Sequence, residues 1–118
     1  MSRRDAEKAL EAQLETSRVR LLAEPDRTGL LATLKNEFPD LSDNLYIVTT
    51  IPEEAVDVYE VLMDAETIVR AEIPRHPAEA GVVVETMPLD EYRKSASMTK
   101  SARRTIDTAI RLAWARRA

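Results

Sequence analysis

The sequence predicts an α+β fold: an N-terminal helical hairpin, a four-stranded antiparallel meander sheet, and C-terminal helices packing on that sheet. Three observations lead to it. Apolar residues recur at helical spacing before Pro39, the pattern shortens to that of strands between Asn44 and Pro88, and a helical stripe returns after Thr99.

The elements follow in order. Ser2 with Asp5 three residues later resembles a capping box, with Asp in place of the usual Glu. Ala6, Leu10, Leu14 and Leu21 follow at helical spacing. Lys8 and Glu11, like Glu15 and Arg18, stand three apart, as on a solvated flank. Pro25 breaks the run. Asp26 can cap a second helix, whose Leu30, Leu31, Leu34 and Phe38 form one stripe ending at Pro39.

Leu45 to Ile51 is rich in β-branched residues and stops at Pro52. Val56 to Met63 and Thr67 to Ile73 flank Asp64-Ala65-Glu66, short enough to join a hairpin. Pro74 and Pro77 end the third run, and Gly81 opens a fourth, Val82 to Met87. After Pro88, Leu89-Asp90-Glu91-Tyr92 reads as a short helix. The last helix, Ser101 to Arg117, places Ala102, Ile106, Ala109, Ile110, Ala113 and Trp114 on one side and turns Arg104 and Arg111 away.

In the central hairpin, Val58, Leu62, Val69, Ala71 and Ile73 are expected on one sheet face. The other would show Tyr59, Val61, Met63 and Ile68 beside Asp57, Arg70 and Glu72. A sheet apolar on both faces needs two covers. The N-terminal hairpin and the last helix can supply them; a face left bare would favour a homodimer through the sheet.

At 118 residues the chain fits one domain, 1–118, in three parts: the helical hairpin 1–40, an acidic meander 41–88 and basic helices 89–118. The net charge of −4 conceals a division. Residues 41–92 carry twelve acids against Arg70 and Arg75 alone, whereas residues 93–118 carry eight basic residues against Asp107. Such asymmetry suits either a tail folded over the acidic middle or two surfaces for two partners.

Composition removes many chemistries. Gly29 and Gly81 are the only glycines, too few for a phosphate-cradling loop or a dinucleotide fingerprint. The chain has no cysteine and one histidine, His76, so thiolate catalysis, disulfides and Cys-based zinc sites are absent. The first residues lack an apolar signal segment and no run suits a membrane span, so a cytoplasmic protein without membrane contact is expected.

Several residues invite a catalytic reading. His76, between Arg75 and Pro77, would need a partner to orient its second nitrogen, and reads as a solvent-facing loop residue. Asp57, Glu60, Asp64, Glu66, Glu72 and Glu85 could hold a hard cation, which leaves a carboxylate-only metal-dependent hydrolase open, but alternating strand charges mostly mark a wet side. Ser97 to Lys100 spells Ser-x-x-Lys without the further motifs acyl transfer requires; it reads as a joint, with Thr99 or Ser101 capping the last helix. No catalytic residue, metal or cofactor is expected.

The leading expectation is a non-enzymatic protein–protein interaction module, of inhibitor, immunity or adaptor type. Its contacts would be Tyr46, Tyr59, Glu60, Arg70 and Glu72 on the sheet surface, since aromatics and arginine dominate hot spots. The alternative is a nucleic-acid-binding regulator that contacts phosphates through Arg103, Arg104 and Arg111. The acidic total and the scarcity of aromatics near those arginines speak against it.

Overall fold

The computed structural model describes residues 2–23, 29–75, 81–95 and 98–117. Its elements run α1 (Arg3–Leu22), α2 (Leu30–Glu37), β1 (Leu45–Pro52), β2 (Val56–Met63), β3 (Thr67–Pro74), β4 (Val83–Pro88), α3 (Leu89–Arg93) and α4 (Lys100–Arg117). The strands form one antiparallel sheet in the order β1-β2-β3-β4, the α+β meander expected from the sequence. No helix among the described residues is long and apolar enough to cross a membrane.

Helix ends follow local chemistry. The Ser2 hydroxyl accepts from the Asp5 N–H at 3.1 Å, satisfying one amide of the first turn of α1. Thr99 does the same for Ala102 at 3.0 Å and so starts α4. Gly29, at φ +77°, precedes α2, a left-handed conformation that glycine adopts without a Cβ penalty. Asp26, the expected cap there, lies outside the described residues. α2 stops at Phe38, where the following Pro39 disfavours helical backbone.

Two apolar clusters sit on opposite faces of the sheet. On one, Leu30, Leu31 and Leu34 of α2, with Leu21 of α1, bury Tyr59, Val61, Val69, Ala71 and Ile73. On the other, Ile106, Ala109 and Ala113 of α4, with Leu14 of α1 and Tyr92 of α3, bury Tyr46, Leu62 and Ile68. Each large apolar side chain so enclosed stabilises the fold by about 1.5–3 kcal/mol against leaving it exposed.

This partition corrects the expected face assignment. Met63 pairs with Thr67, Leu62 with Ile68 and Glu60 with Arg70. Even-numbered residues of β2 therefore share a face with even-numbered residues of β3, so Val58 and Leu62 lie with Ile68, Arg70 and Glu72, while Tyr59 and Val61 lie with Val69 and Ala71. A three-residue connection sets this parity, and a connection one residue shorter would invert it.

The connection itself is strained. Asp64 and Ala65 take φ of 52° and 65°, and the Glu66 N–H closes the turn on the Met63 carbonyl at 3.2 Å. Asp64 is held by the Ser42 hydroxyl at 2.8 Å, and Ala65 is buried in the α4-side cluster. A branched side chain meets both the left-handed backbone and a filled space, so Ala65→Val should cost about 2 kcal/mol or more. Urea denaturation would measure it, and a change below experimental error would show that the turn adapts.

The N-terminal helices do not form a single layer. α1 lies against β1 and runs beside α4 in the same direction, with Arg111 bonded to Glu11 at 2.5 Å and Arg116 to Glu15 at 3.1 Å. The three elements meet at Tyr46, which has no exposed surface. Its hydroxyl donates to Glu15 Oε1 at 2.6 Å and accepts from Arg116 Nε at 2.9 Å. Arg18, also buried, bonds Glu15 at 3.3 Å and the Asp43 carbonyl at 3.1 Å. Burial alone would raise the Glu15 pKa, but hydrogen bonds from Tyr46, Arg116 and Arg18 outweigh it and hold the carboxyl below its ordinary value. Burial, reinforced by Glu15, raises that of Tyr46.

Candidate functional site

The sheet face beneath α4 is covered for only part of its length. Strand alternation aligns Val58, Glu60 and Leu62 of β2 with Ile68, Arg70 and Glu72 of β3, and the β4 register adds Val83, Glu85 and Met87. α4 seals the end containing Leu62 and Ile68. Tyr92, presented by the short α3, lies over the middle. Its hydroxyl donates to Glu60 Oε1 at 3.0 Å and lies 3.5 Å from Thr49 Oγ1. Thr49 reaches it because the register slips between Ile47 and Thr49, a bulge that turns both Val48 and Thr49 toward this face.

Beyond Tyr92 the centre of the face stays closed, with Val58 fully buried, and only its two flanks are exposed. Ile51 and Val83 are 38% and 44% exposed, and Val82, just ahead of β4, is 47% exposed. Among them lies a row of alternating charge. The Arg70 guanidinium pairs with Glu60 at 3.7 Å, and Glu85 is the cross-strand neighbour of Arg70 on β4. Burial first, and then the Glu60 carboxylate, raise the Tyr92 pKa. The outer edge of β4 has no paired strand among the described residues.

Of the expected surface contacts, Glu60, Arg70 and Glu72 do come together here. Tyr46 and Tyr59 do not: Tyr46 is sealed among α1, β1 and α4, and Tyr59 faces α2 with 8% of its surface exposed. Both tyrosines belong to the core. Sequence reasoning missed Tyr92, Thr49 and Val83. Glu85 had a signal, because an antiparallel partner for Arg70 favours an acid, whereas the bulge that delivers Thr49 leaves no mark in composition.

The basic helix differs from expectation in two ways. Trp114 is 52% exposed, outside the buried stripe, with the Arg117 guanidinium 4.6 Å from its ring centroid. The arginines of α4 are also not neutralised mainly by the acidic sheet. Arg111 and Arg116 pair with Glu11 and Glu15 of α1, Arg93 of α3 pairs with Asp107 at 3.0 Å, and Arg117 alone reaches the hairpin, at Glu66. Of the three proposed phosphate contacts, Arg111 is thus paired and Arg103 donates to the Arg93 carbonyl at 3.4 Å. The Arg104 side chain has no ion-pair partner among the described residues.

The remaining candidates are dispersed. Asp57 pairs with Arg75 at 2.9 Å, Asp64 accepts from Ser42, and Glu66 holds Arg117. Among the described residues no cluster of three or more histidine, aspartate or glutamate side chains is placed to hold a metal ion. His76 and Ser97 lie outside the described residues. No family model, curated protein or solved structure matches the chain.

Proposed function

We propose that this protein is a non-enzymatic interaction module that receives an extended segment of a partner protein along β4. The observation that carries the reading is the β4 flank of the sheet, where a strand edge with no partner among the described residues adjoins exposed Val82, Val83 and Glu85, with Arg70 next to Glu85 in the register. An uncovered edge strand is a template for a further strand, and Glu85, the single charge that β4 carries, restricts which segment can add. Val83, Glu85 and Met87 share one face of β4, so the fitting segment alternates apolar, basic and apolar side chains. Its basic residue meets Glu85 from the side opposite Arg70. A second copy fits less well, since antiparallel pairing centred on Glu85 sets two carboxylates against each other.

The test is capture by the full chain, compared among variants. Val83→Lys, Glu85→Lys and Arg70→Glu should each weaken a captured partner by about tenfold or more, equivalent to about 1.4 kcal/mol. Arg104→Glu, on the far helix, should leave it unchanged. Capture that is identical for wild type and all three sheet variants sinks the reading. Concentration-dependent dimerisation abolished by Val83→Lys would replace the foreign segment with a second copy.

A further inference from the structure

Between the first turns of α1 and α4 lies a cleft of about 630 Å³, within the range of roughly 300–1,000 Å³ typical of small-ligand sites. Arg3, Lys100, Arg103, Arg104 and Arg111 line it. Because the two helices run in the same direction, both begin at this cleft, and their dipoles add to a positive field that the side chains create. Arg3, Lys100 and Arg104 carry no ion pair among the described residues, so three cations are available to a ligand. Two carboxylates, Glu7 and Asp107, share the lining. Asp107 is engaged by Arg93 on one oxygen, and Glu7 has no ion pair among the described residues.

We infer that this cleft binds a small phosphorylated polyol, a ligand of the sugar-phosphate class. The cations supply the phosphate site, where arginine's planar fork bonds two oxygens at once. The carboxylates repel phosphate but accept from hydroxyl groups, so they suit the polyol body of the same molecule. Among the described residues no aromatic ring lines the cleft to stack a nucleobase. A nucleic-acid backbone followed along α4 would run past Glu7 and Glu11 and meet an Arg111 already engaged. The site lies on the helices, apart from the β4 edge of the sheet, and stands independently of the interaction reading.

Calorimetric titration of the full chain with ribose phosphate, glycerol phosphate and glucose phosphate tests it, with inorganic phosphate, free ribose and a single-stranded oligonucleotide as comparisons. Saturable one-to-one binding of at least one sugar phosphate, tighter than inorganic phosphate, is expected. Lys100→Glu and Arg104→Glu should each weaken it about tenfold or more, with far-UV circular dichroism unchanged. Glu7→Gln should weaken the sugar phosphate several-fold while leaving inorganic phosphate as tight or tighter, and Val83→Lys should alter neither. Failure of all three sugar phosphates overturns the inference, as does affinity no better than for inorganic phosphate. Tighter, steeply salt-dependent oligonucleotide binding would overturn it in favour of nucleic acid.

Discussion

Ile106→Ala is expected to lower the unfolding free energy by about 2–5 kcal/mol, a large share of what a domain of this size possesses. Ile106 has no exposed surface and lies at the centre of the contact between α4 and the sheet, where Leu62 and Ile68 leave no room for collapse. Trp114→Ala, eight residues along the same helix, should cost no more than about 1 kcal/mol, the value of an exposed cation–π contact. Urea denaturation followed by far-UV circular dichroism compares the two without relying on the single tryptophan. Equal losses would mean that α4 docks through its other side.

Tyr46→Phe removes one oxygen and breaks two charge-assisted hydrogen bonds, to Glu15 and from Arg116. A loss of about 1–3 kcal/mol is expected. The substitution should also change the acid limb of stability. The folded pKa of Glu15 lies below its value in the unfolded chain, so its contribution is complete above that unfolded value of 4.5. It is lost as pH falls toward the lower folded value. Without the Tyr46 hydroxyl the folded pKa moves back up, so the variant's deficit should shrink on acidification below pH 4.5, and Glu15→Gln should flatten the limb. At the alkaline end the sign reverses. The raised Tyr46 pKa means the unfolded chain releases its proton first, so wild-type stability declines as pH rises through 10. Denaturation midpoints across pH for wild type and both variants check each part, and parallel profiles would remove Glu15 from the account.

The two substitutions illustrate what periodicity can convey. The stripe Ile106, Ala109 and Ala113 was legible because helical spacing is a local property of consecutive residues. Trp114 shared that spacing at its margin, yet only the width of the sheet beneath α4 decides which flank is covered. Tyr46 was legible as a strand residue but not as a buried one. Its enclosure depends on α1 and α4, which approach it from residues 15 and 116. The candidate interaction site divided in the same way. Arg70 and Glu72 share a face by alternation within β3, whereas the β2–β3 register adds Glu60, and Tyr92 and Thr49 join them through a five-residue helix and a bulge.

The chain's own sequence determined the number, type and order of its elements, because caps, prolines and apolar spacing act over a few residues. It also determined the division of charge. Tertiary structure alone decided which residues share a face, since one residue in the Asp64-Ala65-Glu66 connection inverts the parity of β2 against β3. It alone set α1 beside α4 rather than only beside α2, placing Glu11 and Glu15 against Arg111 and Arg116. The reason in both cases is that pairing across the fold answers to packing on two faces at once, a condition that no window of neighbouring residues contains.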